Sequence, residues 1–222
     1  MSIWSTASAL IDAVRVRQDW TGATDAQLYD MLNVVQERLQ REHDFTFQEE
    51  IATRTLGTGA TGFARFAEPT DGKQLNAMYL IESSARVRLT FLPFYDFLAT
   101  YPNPSRTGTA EHWTIRRNEV YVGPALATAV TAEAYYYKML PALTATASND
   151  FLVFAPDTLF YGTCREQALH VGETQAATTY QSLLGDSVAS LLRQHRGRKM
   201  SPRRSMVMRT PGTVFAPNQS LS

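Results

Sequence analysis

The sequence predicts an α+β protein, with an N-terminal helix pair, a central antiparallel β domain, a C-terminal helix pair and an extended C-terminal tail. Three observations carry this. Apolar residues recur with a period near 3.6 before residue 44 and again after 150. Between those stretches the pattern shifts to alternation, as in Val87, Leu89 and Phe91 set among Arg86, Arg88 and Thr90. After residue 196 the chain has three prolines, two glycines and no periodicity.

Taken in order, Ser5 or Ser8 is expected to cap a first helix carrying Ala7, Leu10, Ile11 and Val14, and Thr21-Gly22 to end it. Thr24 is placed to cap a second helix over about 25–43, with the stripe Leu28, Met31, Leu32, Val35 and Leu39. Residues 45–56 read as extended, and so do "NAMYLI" and "ARVRLTF". A short helix is expected between Pro93 and Pro102, then a hairpin turning near Arg117-Asn118. "AVTAEAYYY" is the last strand, with Ala132, Ala134 and Tyr136 on one face and Glu133, Tyr135 and Tyr137 on the other. This gives five or six antiparallel strands. Asp150 is placed to cap a short turn, and Pro156 suits the first turn of a longer helix, where its missing N–H costs nothing. Phe160, Cys164, Ala168 and Val171 would line one face of it, and Gly172 would stop it. A last helix is expected over about 173–194, with Leu184, Val188, Leu191 and Leu192 apolar. Residues 1–44 and 150–196 thus form a helical module, 45–149 a β domain, and 197–222 a flexible basic arm.

At 222 residues, with 44% hydrophobic and 19% charged side chains, the chain is globular. One cysteine, Cys164, excludes a disulfide framework and a cysteine zinc site. "MSIWSTASALIDAVRVRQDW" has no basic start, and Asp12 and Arg15 interrupt it, so a protein without a secretory signal is expected. No apolar run approaches the roughly 20 residues of a membrane span. The net charge is zero but unevenly spread: residues 1–186 carry 14 basic and 21 acidic groups, and the seven remaining basic residues lie in 187–222 without an acid. An acidic body with a basic tail implies a negatively charged partner for the tail.

Little in the sequence points to catalysis. Gly57-Thr58-Gly59-Ala60-Thr61-Gly62 spells G-x-G-x-x-G, but "FARFAEPTDGK" after it is a poor helix, so a flexible hairpin loop is expected in place of a dinucleotide site. His43, His112, His170 and His195 show no metal-ligand spacing. Cys164 falls on an apolar helix face and reads as a core thiol. Glu49-Glu50 reads as a solvated strand edge. No catalytic, cofactor-binding or metal residue is assigned. Tyr135, Tyr136 and Tyr137 put aromatics on both faces of one strand, which fits either core packing at a seam or a protein contact. The tail fits either nucleic acid or an acidic protein partner.

One order of elements is more specific. A strand ending in Tyr135-Tyr136-Tyr137 leads through Lys138 to Pro141-Ala142-Leu143, a small polar loop, Ser148-Asn149-Asp150, Ala155-Pro156-Asp157 and Leu159 to Gly162. With the N-terminal helix pair and the "VYVGPA" strand, this resembles the head-to-tail adaptor (connector) proteins of tailed bacteriophages, over most of residues 1–195. The resemblance implies a structural, non-enzymatic protein of the virion, assembled in the host cytoplasm and placed at the head–tail interface. It implies a ring, typically of twelve copies, between the portal protein and a tail or nozzle protein. DNA would pass through the ring without specific binding, and an acidic body suits that channel because a negative lining repels phosphate. No cofactor and no membrane are implied. For the tail we expect Arg193, Arg196, Arg198, Lys199, Arg203 and Arg204 to steer the arm to an acidic portal or neighbouring-subunit surface, with Val214 and Phe215 as anchors. The rivals are a nucleic-acid-binding protein using this arm and an enzyme built from scattered residues.

Overall fold

A computed structural model describes residues 4, 6–18, 23–58, 62–82 and 85–207, the side chains of Gln18 and 196–207 excepted. Its helices are α1 (Ala7–Gln18), α2 (Asp25–Glu42), α3 (Phe94–Thr100), α4 (Asp150–Phe154), α5 (Pro156–His170) and α6 (Thr174–Val207). Its strands are β1 (Glu49–Leu56), β2 (Ala64–Ala67), β3 (Gly72–Glu82), β4 (Ala85–Phe91), β5 (His112–Arg116), β6 (Glu119–Gly123) and β7 (Val130–Lys138). The fold is α+β.

Local chemistry sets the helix starts. Thr24 accepts from the Gln27 N–H while the Gln27 side chain accepts from the Thr24 N–H, a reciprocal cap on α2. Thr6, rather than Ser5 or Ser8, caps α1, accepting from the Ala9 N–H at 3.1 Å. Asn149, one residue before the expected Asp150, caps α4 through the N–H groups of Phe151 and Leu152. Pro156 opens α5, and Gly172 follows its end at φ +81°, a left-handed conformation that suits glycine. Val171 was expected on the buried face of α5, but it caps the helix and is exposed.

α5 is the hub of the helical module: α1, α2, α4 and α6 all pack on it. The core joins Leu10, Ile11 and Val14 of α1, Leu28, Leu32, Val35 and Leu39 of α2, Phe151 and Leu152 of α4, and Leu159, Phe160 and Cys164 of α5. Leu191 of α6 is buried there, with Val188 and Leu192 packed alongside. Leu184 is a correction. It is half-buried at the rim of a 370 Å³ groove that Val35, Leu39 and Val188 also line. An apolar stripe identifies a helix face but not whether the opposite side is filled. Leu184→Asp is therefore expected to cost far less than a core charge would. α6 also runs to Val207, past the stop expected near 194. Arg, Lys and Met there favour helix, and it runs on through Gly197 and Pro202, the two residues of that stretch that disfavour it most.

The β domain has seven strands in the order β1-β7-β3-β4-β5-β6-β2. Its core is Leu56, Leu75, Met78, Leu80, Leu89, Trp113, Val120, Val122, Ala132, Ala134 and Tyr136. The β5–β6 hairpin turns at Arg117 and Asn118, both at positive φ (52° and 61°), the tight turn whose twist matches that of the strands. Two expectations change. β4 and β5 run parallel, over Thr90–His112 and Phe91–Trp113 only, because α3 and the loop after it return the chain in the same direction. β1 and β2 are consecutive in sequence but end the strand order without hydrogen-bonding to each other; they come close enough that the sheet nearly closes, so the chain between them crosses a seam where a paired hairpin was expected.

Candidate interaction surfaces

The G-x-G-x-x-G run does not form a dinucleotide site. β1 precedes Gly57, but β2 and not a helix follows Gly62, so no helix N-terminus faces a ligand; Gly59 to Thr61 lie outside the described residues. Among the described residues, no group of three or more His, Cys, Asp or Glu side chains could hold a metal, and no helix is long and apolar enough to cross a membrane. Cys164 is buried in the helical core, and desolvation pushes its thiol up to about 12. A thiolate is the reactive form. The folded protein should therefore resist alkylation at mildly alkaline pH and react fully in denaturant; rapid labelling of the native protein would refute the core position.

The tyrosine strand divides as its alternation demands. Tyr136 is buried in the β core, its hydroxyl donating to Asp71 at 3.2 Å. Tyr137 is buried on the other side and donates to Glu49 at 3.0 Å. Glu49 and Glu50 are exposed, as expected of a strand edge, and Lys138 pairs with Glu50 at 2.9 Å. Tyr135 is half-buried on the outer sheet face, edge-on to Tyr79 with ring centroids 5.4 Å apart. Arg86 lies over both rings and pairs with Glu133. Register places Ile51, Ala77 and Ile81 on that same face.

After β7 the chain crosses to the helical module under the control of one face of α2. The Asn33 side chain donates to the Leu143 carbonyl at 3.0 Å and accepts from the Leu143 N–H at 2.8 Å. Gln36 donates to the Pro141 carbonyl at 3.0 Å, and its own oxygen accepts from Asn149 at 2.8 Å. Gln40 accepts from the Leu140 N–H and from Gln48, which also donates to the Lys138 carbonyl at 3.1 Å. Gln36, Gln40 and Gln48 are buried. These amides satisfy backbone groups of an irregular segment that is exposed at Pro141, Ala142 and 144–148 but buried at Leu140 and Leu143, where an unpaired polar group would be costly. They join the two modules and were not singled out from the sequence. The available signal was their spacing of three and then four residues beside the apolar stripe of α2.

A third surface is the ridge after β4. Phe91, Tyr95 and Leu98 are exposed, Tyr95 at 79%. Phe94 lies under the Arg116 guanidinium, 4.3 Å away. Beneath the ridge, α3 packs close because Gly123 has no side chain: a Cβ there would meet the Phe97 ring at 2.7 Å.

The residues assigned to the arm are not brought together by any described contact. Arg193 is exposed on α6. Arg196, Arg198, Lys199, Arg203 and Arg204 belong to the part of α6 whose side chains are not described, and Val214 and Phe215 lie outside the described residues. Just before that stretch, His195 is buried against Phe45 and Phe47, with ring centroids at 5.6 and 5.4 Å, and its Nδ1 is 2.5 Å from the Thr46 hydroxyl. α6 is thus seated in the core immediately before its basic half.

No curated protein matches this chain. Residues 5–209, which include both modules, the tyrosine strand, the crossover and all of α6, match the SU10 adaptor protein family, and the chain therefore belongs to that family of phage head–tail adaptors.

Proposed function

We propose that the protein is a structural joint that assembles as a ring, of twelve copies, between the portal and the tail or nozzle, around the channel through which DNA passes. The observation that carries this reading is the adaptor family match across both modules. A family of structural adaptors implies a non-enzymatic role in the virion. The amide contacts between α2 and the crossover support the reading, because a joint under load needs its modules coupled. The net negative charge of residues 1–186 suits a channel that must not grip DNA.

In this reading the C-terminal arm is the lock. His195 seats α6, Arg193, Arg196, Arg198, Lys199, Arg203 and Arg204 steer the segment beyond it to an acidic surface of the portal or of a neighbouring copy, and Val214 and Phe215 anchor it. Isolated protein is expected to be monomeric or loosely associated, with rings forming on portals. Cutting the chain after Arg198 should leave the body folded, abolish stable attachment to portals and give heads that lose DNA. Normal attachment of the truncated protein would refute this role. The nucleic-acid reading draws on the same basic run. It would be favoured if Phe215→Ala were silent while the arginine changes abolished a DNA affinity that falls steeply with salt.

A further inference from the structure

We infer that the C-terminal segment of one copy docks on the outer face of α2 and α5 of the neighbouring copy. This rests on the reading of the arm as a lock and names the surface that receives it. That surface is a 240 Å³ groove lined by Gln27, Asp30, Met31 and Val34 of α2 and Glu166 of α5. The four α2 residues share one side of the helix. Val34 is 49% exposed, and Leu169, one turn beyond Glu166 on α5, is 46% exposed, so the apolar strip continues past the groove.

Charge and apolar character name the occupant. Residues 1–44 and 150–195 carry six basic and twelve acidic groups, whereas residues 45–149 carry nine of each. The acidic excess of the body therefore lies wholly in the helical module. Residues 196–222 carry six basic groups and no acid. Glu166 is already held by Arg38 and Arg165, but Asp30 in the groove and Glu173 just past α5 have no salt bridge among the described residues. They are free to meet the arginines of an arm, and they would repel a nucleic acid. Val214 and Phe215 supply the apolar groups for Met31 and Val34, and the Met31 thioether is a favourable neighbour for a phenyl ring.

Reach separates the neighbour's groove from the copy's own. α6 passes the level of the groove near Gln181, which lines the adjoining 370 Å³ groove together with Glu166. From there it leads away. Ser187 meets Thr158 near the start of α5, and His195 packs on Phe45, beyond the end of α2. From Gln181 to Val207 the helix is roughly 39 Å long. Phe215 lies eight residues past Val207, a span that can return by at most about 29 Å. The continuous helix thus carries the anchors out of reach of their own groove and leaves them for another copy. In a ring each copy would give one arm and receive one, a heterologous contact that closes.

The test uses full-length protein on isolated portal rings, with ring completeness read by native mass spectrometry and folding checked by circular dichroism. Val34→Cys and Phe215→Cys are combined in one chain, where the buried Cys164 stays out of reaction. Mild oxidation should give a ladder of chains joined 34 to 215, which neither single variant should give. Asp30→Lys, at an exposed position, should raise about tenfold the protein concentration that half-fills portals. Arg209→Glu in that background should recover part of the loss. Complete rings without a link between chains, or with the link confined within single chains, would overturn the groove assignment and leave the ring reading standing. Asp30→Lys filling portals as wild type does would overturn it in the same way. If wild type binds portals only as single copies, the ring reading itself fails and the arm contact with it.

Discussion

Gly162→Ala is expected to lower the thermal midpoint by about 6 °C, the shift for roughly 2 kcal/mol in a chain of this size. A Cβ at this position would lie 2.4 Å from Val35 Cγ1 and 3.2 Å from Cγ2, so α5 could carry a side chain there only by moving off α2. Both residues are buried, and Val35 belongs to the helical core. Overpacking costs about 1–3 kcal/mol, occasionally more, and a contact this close belongs at the upper end, so about 2 kcal/mol is lost after the roughly 1 kcal/mol of helix propensity that alanine brings. Gly185 in α6 provides the control. Nothing lies within 4 Å of a Cβ there, so Gly185→Ala should stabilise by about 1 kcal/mol. Val35→Ala in the Gly162→Ala background should recover part of the loss by restoring space. Equal melting curves for the two glycine variants would show that α2 and α5 do not meet at this point.

Gln40→Leu is the second large effect, and its consequence is mechanical as well as energetic. Gln40 is 1% exposed, and its oxygen serves both the Leu140 N–H and the Gln48 amide. Leucine fills similar space but leaves those two buried donors without this acceptor, a cost of about 3 kcal/mol. The crossover between β7 and α4 should loosen, with faster proteolysis near Pro141 to Ser148 and faster amide exchange at Leu140 and Leu143. Thr146→Ala, at an exposed position of the same crossover, should change stability by less than about 0.5 kcal/mol. If Gln40→Leu is as mild as Thr146→Ala, the amide contacts do not hold the modules together.

What the sequence made legible was local. Thr24 with Gln27, Pro156 and Gly172 announce helix ends through chemistry within a few residues, and Arg117-Asn118 announces a turn in the same way. The Ala132–Tyr136 alternation revealed which face of β7 is buried because period two is a property of the strand itself. What stayed hidden depends on distant partners. Gln36 and Gln40 look like solvated helix residues until a segment 100 or more positions away supplies backbone groups for them. The parallel β4–β5 contact and the separation of β1 from β2 are facts of topology that no window of residues contains. Leu184 continued an apolar stripe, yet its burial depends on whether α2 and α5 fill the facing groove. Among the candidate interface residues, the arm was legible as charge, Arg193 being its one described side chain.

The most direct measurement of the central claim is the mass of the complex formed when purified full-length protein is added to isolated portal rings at physiological salt. The account predicts a discrete species with one closed adaptor ring, twelve copies, per portal, and no stable ring of comparable size without portal. A portal that retains single copies only, or no copies, while the same preparation binds DNA with a steep salt dependence, would contradict it.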